Sequence, residues 1–440
     1  MSFHLNNILD ALEGLLRDLR DEYIVSAKDP VAAIRRRVYN RFYKPVKLSE
    51  YPRKPIGFVD AGFTSYQLDV ANIIPLQVAG IMRSEDGRLY SLRQLLGVEP
   101  VELVIVYTSR RRAGNGYRVV ARIRSPVSKG LLFETRYDAE RISRELNKLF
   151  SSAPPSPRIG GAKALRRISK YLEGLIELAY AVKMYSGLRE NGLEYVVLDG
   201  SLIRWFSVRE PRILGEIDGL HIASILTGYD VKSLKKNMAR IIGLSKTTSS
   251  TRIIRSQDLF RQYYGEEELC NLYSIIDEDG AEEVVEILNK YLKEGGLGAS
   301  EVLEIIKMFN RIVYPYNNVF VVRFPLTMDG KHVFTLDIYS EAPVIGYRRG
   351  SVYFYKDIVP HINSFVSDVV HTMYVYRTRI SSEPPYGFME VDSLVRMRGE
   401  LDKFFTDAVL ALLPRLGDDK VIRILEQVFS PTTRMRYGYR

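Results

Sequence analysis

Two aspartates stand where strand-like runs of apolar residues end. Asp60 ends the run IGFVD, Asp199 ends the run YVVLD, and a glycine follows each aspartate within two residues. Short apolar runs bounded by glycine predict buried strands, and a carboxylate at the end of a strand is accessible to a ligand. Carboxylates are ligands of hard divalent cations. A pair of them in a basic chain therefore indicates metal-dependent cleavage of phosphodiesters.

The charge of the chain favours a nucleic-acid partner. Its 440 residues carry a formal net charge of +10, the stretch 231–257 holds seven basic residues and no acidic one, and positions 110–112 are all arginine. Such segments attract the phosphate backbone, although a solvated basic surface has the same composition. The residues predicted to contact nucleic acid are Arg110, Arg111, Arg112, Lys232, Lys235, Lys236, Lys246 and Arg252.

Composition argues against several other classes. Cys270 is the single cysteine, so we expect no internal disulfide and no cysteine-based zinc site. No apolar run reaches the roughly 18 residues of a membrane helix, and the first residues lack a signal-peptide pattern. We therefore expect a cytoplasmic protein with no membrane partner. No phosphate-binding loop of ATPases occurs, so any motor must be a separate protein.

Helical and strand periodicities alternate along the chain. An apolar stripe runs through 5–24, and a long helical pattern over 161–188 leads into the strand that carries Asp199. The stretch 40–54 is predicted to be a connection. The other predicted helices are 138–149, 389–414 and 418–428, and 215–243 is predicted to be helical with loops. The other predicted strands are 56–60, 73–82, 102–107, 117–124, 318–324, 333–339 and 351–354. Strands, then long helices, then strands again indicate an α/β or α+β core with helical additions.

Short motifs around these acids resemble those of the NurA nucleases of archaea. The matching segments are VDAG at 59–62, a helix glutamate ahead of a strand, LDGSL at 198–202 and GLSKTTS at 243–249. The family usually has Asp-Gly-Ser where this chain has Asp60-Ala-Gly, and commonly has a histidine where this chain has Asp392. The resemblance covers about 55–400 and implies an RNase H-like mixed sheet flanked by helices, an α/β fold.

The resemblance also implies an activity and partners. NurA-like proteins are Mn²⁺- or Mg²⁺-dependent DNA nucleases, with 5′–3′ exonuclease and single-strand endonuclease activity in the resection of double-strand breaks. They form dimers that dock on the HerA hexameric ATPase. The predicted organisation is an N-terminal helical extension (1–50), a NurA-like core (51–257 and 312–400), a helical insertion (258–311) and a C-terminal helical region with a basic tail (401–440).

Two glutamates compete for the helix position of the site. Glu173 and Glu177 are four residues apart, so they share one face of the predicted helix. We prefer Glu177 because an apolar run follows it and leads into the strand of Asp199. On this hypothesis Asp60 contacts two metal ions, Asp199 and Glu177 complete their ligand shells, and Lys246 contacts the scissile phosphate or the leaving group. Either glutamate would otherwise pair with a basic residue on a solvated surface.

Further candidates and alternatives stay open. Asp337 is a possible additional acid but is predicted more strongly to face outward from its strand, and Tyr386 and Asp392 are candidates for substrate or metal contacts. The alternative function is a non-catalytic DNA-binding or ATPase-docking module of the same fold. The apolar stripe from Leu5 to Leu19 either docks on a partner subunit or motor, or packs on the chain's own core.

Overall fold

A computed structural model describes residues 9–20, 30–49, 53–126, 129–202, 217, 219–245, 272–312, 320–327, 333–375, 387–396 and 399–429. Three predicted site residues, Lys246, Arg252 and Tyr386, lie outside the described residues.

The described helices and strands match most of the predicted ones. The helices are α1 (residues 9–20), α2 (Pro30–Phe42), α3 (Leu92–Leu96), α4 (Arg136–Ser152), α5 (Ala162–Leu188), α6 (Gly219–Thr227), α7 (Val231–Met238), α8 (Glu278–Lys293), α9 (Ala299–Ile306), α10 (Val359–Val375), α11 (Phe388–Val395), α12 (Gly399–Leu412) and α13 (Asp419–Phe429). The strands are β1 (Tyr43–Lys47), β2 (Ile56–Phe63), β3 (Tyr66–Gln67), β4 (Ala71–Arg83), β5 (Leu89–Ser91), β6 (Val101–Ala113), β7 (Gly116–Arg124), β8 (Tyr195–Asp199), β9 (Ile241–Ser245), β10 (Leu272–Ile276), β11 (Asn310–Ile312), β12 (Phe320–Thr327), β13 (Val333–Ser340), β14 (Ile345–Arg348) and β15 (Ser351–Phe354).

One large mixed sheet organises the described residues. Its strand order is β1-β10-β12-β13-β9-β8-β2-β4-β6-β7. β4 is antiparallel to both β2 and β6, whereas β8 runs parallel to β2 and β9 runs parallel to β8. Helix α5 precedes β8, and helices α6 and α7 precede β9. This is the arrangement of an RNase H-like core, and the mixed sheet flanked by helices confirms the predicted fold class.

Two hydrophobic cores lie on opposite faces of this sheet because side chains alternate along each strand. On β2, Val59 packs with α5 in one core, whereas Phe58 packs with α11 in the other, where its ring centroid lies 5.1 Å from that of Phe388. We call these two sides of the sheet the α5 face and the α11 face. Helices α4, α6 and α7 also pack on the α5 face, and α2, α8, α9 and α10 pack on the α11 face.

Helix α5 approaches the sheet closely because two strands present glycine beneath it. A Cβ atom on Gly57 would lie 2.8 Å from Met184 Cε, and one on Gly80 would lie 2.7 Å from Met184 Sδ. Nearer the start of the helix, Lys170 Nζ lies 5.7 Å from the centre of the Phe63 ring. The helix therefore runs antiparallel to β2, and its path fixes which of its side chains reach the end of that strand.

Seven of the described strands lie where the sequence predicted none: β1, β3, β5, β9, β10, β11 and β14. β1 falls in the predicted connection 40–54, and β10 falls in the predicted helical insertion 258–311, which is therefore not wholly helical. β1 pairs with β10, and β10 pairs with β12, so both strands extend the central sheet. Each is only five residues long, and its partner is distant in sequence. Pairing and burial stabilise such strands more than intrinsic preference does.

Helix α1 presents its leucines to solvent. Leu9, Leu12, Leu15, Leu16 and Leu19 are between 49% and 65% exposed. The stripe predicted over 5–24 is therefore helical across the described residues 9–20. Its apolar side joins neither of the two cores that the described residues form. No helix among the described residues is long and apolar enough to cross a membrane.

Gly62 makes room for the backbone of α11. A Cβ atom at this position would lie 1.9 Å from the carbonyl oxygen of Val395. We expect Gly62→Ser to push α11 away from β2 and to lower the free energy of unfolding by about 2 kcal/mol or more, measured by urea denaturation. Gly161→Ser is the matched control because nothing lies within 4 Å of a Cβ atom there. Equal stability of the two variants would contradict the close approach.

Candidate functional site

Asp60 and Asp199 occupy neighbouring positions on parallel strands. Val59 pairs with Leu198 in the register of β2 and β8, and each aspartate is the next residue of its strand. Adjacent strands lie about 4.8 Å apart. Alternation places both side chains on the α11 face, where Asp60 is 9% exposed and Asp199 is half-buried. Asp60 Oδ1 accepts a hydrogen bond of 2.8 Å from the backbone N–H of Ala61. The two acids singled out by sequence are therefore brought side by side.

Within the described part of the sheet, β2 has no partner strand on the β8 side from Asp60 onward. β8 ends at Asp199, whereas β2 continues to Phe63, beyond the last residue that pairs with β8. Gly200 has φ +124°, a conformation that favours glycine, and its N–H donates to the carbonyl of Leu244 at 2.8 Å. We call the opening beside residues 60–63, beyond the end of β8, the β2 notch. Side chains from both faces of the sheet can approach a ligand at such an opening.

Asp337 holds the turn that follows Asp199. The prediction that Asp337 faces outward is wrong, because its side chain is completely buried on the α5 face of β13. Its Oδ2 accepts a short hydrogen bond from the hydroxyl of Ser201. The turn crosses Gly243, where a Cβ atom would lie 2.6 Å from Gly200 O. The sequence pattern missed this because β13 is covered on both faces, so its polar residues are not solvent-facing.

Glu173 and Glu177 lie on the opposite face from the aspartates. They are 5% and 2% exposed, and they fall on the stripe of α5 that runs from Lys170 to Tyr180. Both ends of that stripe contact the sheet, Lys170 at Phe63 and Tyr180 at Gly80. The two glutamates therefore face the α5 side of the end of β2. The alternative that these glutamates lie on a solvated surface does not hold, because both side chains are buried.

Helix α11 brings Asp392 over β2. Phe388 packs on Phe58, and the Val395 carbonyl lies against Gly62. Asp60 lies between these two contacts along β2, and Asp392 lies between them along α11. Asp392 Oδ2 accepts a 2.7 Å hydrogen bond from Arg396. Helix α11, which carries Asp392 where the family commonly has a histidine, therefore lies on the same face of the sheet as Asp60 and Asp199.

The carboxylates do not form a complete metal cage. Among the described residues, no group of three or more His, Cys, Asp or Glu side chains is placed to hold a metal ion. Asp60 and Asp199 nevertheless form a pair of hard oxygen ligands of the kind that Mn²⁺ and Mg²⁺ accept. A third ligand at the β2 notch would be Glu177 if it reached the opening from the α5 face.

The predicted basic residues divide between the two faces. The described lysines Lys232, Lys235 and Lys236 lie on α7, on the α5 side. In the hairpin of β6 and β7, Arg110 and Arg112 face the α5 side, because Arg110 lies 5.2 Å over the ring of Tyr117, which packs against that core. Arg111 alternates with them and faces the α11 side, as the two aspartates do.

Glu102 is a buried acid that the sequence analysis missed. Its carboxylate accepts hydrogen bonds of 2.9 Å from the backbone N–H groups of Leu132 and Phe133. Burial raises the pKa of Glu102 to about 7, against the lowering effect of these bonds and of the Lys183 charge. Burial lowers the pKa of Lys183, while the Glu102 charge opposes that shift. The signal was available, because Glu102 alternates with buried apolar residues along β6.

Glu102 should make stability depend on pH. Its pKa is raised in the folded state, so its contribution is complete below its usual pKa near 4.5 and is lost as pH rises through about 7. We expect the free energy of unfolding to fall by up to about 3 kcal/mol between pH 5 and pH 8 from this group. Chemical denaturation at several pH values should show the slope in wild type and a smaller slope in Glu102→Gln. Equal slopes would place the pH dependence elsewhere.

Comparisons with known proteins found neither a matching family model nor a matching curated protein. Solved structures of NurA proteins align with most of the chain at low similarity. The NurA nuclease from Sulfolobus solfataricus is 11% identical, covers 93% of this chain and 97% of its own, and has a TM-score of 0.41. A NurA structure with manganese is 10% identical over 92% of this chain and 98% of its own, with a TM-score of 0.32. Another, bound to dAMP and manganese, is 8% identical over 89% and 93%, with a TM-score of 0.30. Similarity at this level does not assign a function to this chain.

Proposed function

We propose that this chain is a metal-dependent nuclease that cleaves DNA. The observation that carries the proposal is the side-by-side placement of Asp60 and Asp199 beside an opening in an RNase H-like sheet. Two carboxylates at one opening repel each other unless a cation or a proton lies between them. The net charge of +10 agrees with a polyanionic substrate.

Asp60, Asp199 and Glu177 are the residues proposed to hold Mn²⁺ or Mg²⁺, and we propose two ions with Asp60 in contact with both. Bound divalent ions activate water and stabilise the charge that develops on a phosphoryl group. Asp337, through Ser201, orients the turn after Asp199. Lys246 is proposed to contact the scissile phosphate or the leaving group. Glu173 and Asp392 are the remaining candidates for the site.

The proposed cellular role follows the family resemblance. The chain would act in the cytoplasm as a 5′–3′ exonuclease and single-strand endonuclease during resection of double-strand breaks. It would act as a homodimer with a HerA-type hexameric ATPase. The exposed leucine side of α1 supports an association of this kind, because it offers an apolar surface that the described cores do not use.

A second candidate function is a non-catalytic DNA-binding or ATPase-docking module. It is favoured by the absence, within the described residues, of a three-ligand metal group. It is also favoured by Ala61 and Gly62, which depart from the family motif. A DNA-binding module would bind DNA with an affinity that falls with salt but would not cleave it, whereas an ATPase-docking module would neither bind nor cleave DNA.

Cleavage by the purified full chain separates the two candidates. End-labelled single-stranded and duplex DNA would be incubated with Mn²⁺, with Mg²⁺ or with EDTA, and the products resolved on a denaturing gel. The nuclease proposal expects cleavage with a metal ion and none with EDTA. DNA binding without cleavage under any of these conditions would favour the module. Light scattering and co-elution with a HerA-type ATPase test the proposed assembly separately.

A further inference from the structure

The hairpin of β6 and β7 carries a line of arginines on the α11 face. Tyr107 pairs with Arg122, and Arg111 pairs with Arg118, so these side chains project from the same side of the sheet. Arg124 follows Arg122 in the alternation, but its guanidinium lies 4.0 Å from the carboxylate of Glu140 on α4, a helix of the α5 side. We call Arg111, Arg118 and Arg122 the arginine track.

The two described strands that carry the arginine track place no acidic side chain beside it. Arg111 and Arg118 stand directly opposite each other across the hairpin, and like charges in that position destabilise a sheet. The α11-face positions of β6 and β7 include no acidic residue, since Glu102 points to the other face. An arrangement of this kind favours binding of a polyanion.

Along the described strands between the arginine track and Asp60, the α11-face positions carry no acidic side chain, and the acids on this side belong to the helices: Asp392 on α11 over β2, and Asp402 on α12, which accepts a 2.6 Å hydrogen bond from Tyr66. The α11-face positions of β4 and β6 along this path are apolar, aromatic or amide side chains, and most are half-exposed. They are Ile73, Pro75, Gln77, Leu103, Ile105 and Tyr107. The ring of Tyr107 lies 5.7 Å from the guanidinium of Arg122. An aromatic ring beside a cation is a surface on which a base can stack while its phosphate is bound.

The register gives the length of this path. Arg122 pairs with Tyr107 and Tyr107 with Ile73, whereas Asp60 pairs with Ala79. The separation is therefore six residues along the strands and three strands across the sheet, or about 25 Å from the spacings of a sheet.

We propose that the arginine track binds a single strand of DNA and leads it across the α11 face to the β2 notch. The inference rests on the proposed function only in taking the notch as the place of cleavage. It assigns different roles to adjacent residues of one arginine triplet. Arg111 contacts the DNA backbone, whereas Arg110 and Arg112 project from the opposite face.

Two double variants of equal charge test this assignment. Arg111→Gln with Arg122→Gln removes two charges from the arginine track and one contact between an arginine and a tyrosine ring. Arg110→Gln with Arg112→Gln removes two charges from the α5 face and one such contact. Affinity for a fluorescent 20-nucleotide strand would be measured by anisotropy in EDTA over a range of salt concentrations. Circular dichroism and thermal melting would confirm that both variants fold.

The track variant should bind about tenfold more weakly, and its slope of log affinity against log salt should decrease by about 1.4, or about 0.7 for each lost phosphate contact on a single strand. The control variant should change affinity less than about twofold. Equal losses in the two variants, or a larger loss in the control, would overturn the proposal. If the track variant lost affinity only for a 20-base-pair duplex, that result would exclude single-stranded DNA as the ligand of the arginine track.

Cleavage distinguishes failure of this inference from failure of the proposed function. If wild type cleaves DNA with Mn²⁺ while the two variants bind alike, the arginine track is wrong and the nuclease stands. If wild type never cleaves but the track variant alone loses affinity, the arginine track stands and the nuclease fails. In an active enzyme, the track variant should raise KM for the 20-nucleotide strand and leave kcat unchanged.

Discussion

Replacing Asp60 or Asp199 by asparagine should abolish metal-dependent cleavage of DNA. Each substitution removes one negative charge from the carboxylate pair at the β2 notch while keeping the shape of the side chain. In Asp60→Asn the amide oxygen would still accept the hydrogen bond from the N–H of Ala61, so the local fold should persist. Loss of metal-dependent stabilisation worth several kcal/mol corresponds to at least about a 10³-fold lower rate.

The same variants should also lose the effect of the metal on stability. A ligand that binds the folded chain raises its melting temperature, and the rise depends on concentration and affinity. Mn²⁺ should therefore raise the melting temperature of wild type and have little effect on either asparagine variant. Glu145→Gln is the control, because Glu145 is half-buried on α4, away from the aspartates, and pairs with Lys148 at 2.8 Å. Wild-type rates in both aspartate variants would show that the β2 notch is not the site of cleavage.

The position of the aspartates along the chain was predictable from sequence, whereas their neighbours in space were not. Apolar runs that end in Asp60 and Asp199 identify two strand ends by local pattern alone. That the strands are adjacent and in register depends on pairing between segments more than a hundred residues apart. Short strands such as β1 and β10 have the same limitation, because their pairing partners are not encoded locally.

Sequence alone did not determine on which face of the sheet each site residue lies. Alternation along β6 separates Arg111 from Arg110 and Arg112, but it does not say which side the aspartates share. That choice follows from the packing of α5 over Gly57 and Gly80 and of α11 over Gly62. Asp337 was misjudged and Glu102 was missed for a related reason. Charged residues on strands are usually exposed, and only the structure shows the Ser201 hydroxyl and the backbone N–H groups that satisfy these two.

Exchanging Glu177 for glutamine should abolish cleavage, whereas the same exchange at Glu173 should leave most of the activity. Along α5, Tyr180 lies over Gly80, which pairs with Val59, and Lys170 lies over Phe63. With a rise of about 1.5 Å per residue, Glu177 stands about 4.5 Å from the level of Tyr180. It therefore lies beside the strand segment that begins with Asp60. Glu173 stands about 6 Å further along, near Phe63.

The two glutamates control for each other. Both are buried on the same stripe of one helix, at 2% and 5% exposure, so replacing a carboxylate by an amide should perturb the fold to a similar degree at either position. Cleavage rates on end-labelled DNA with Mn²⁺ and metal-dependent melting shifts would be compared between Glu177→Gln and Glu173→Gln. Loss of activity only in Glu173→Gln would transfer the ligand to that position. Full activity in both variants would mean that neither glutamate of the α5 face reaches the β2 notch. The metal would then be held from the α11 face, where Asp392 is a described candidate.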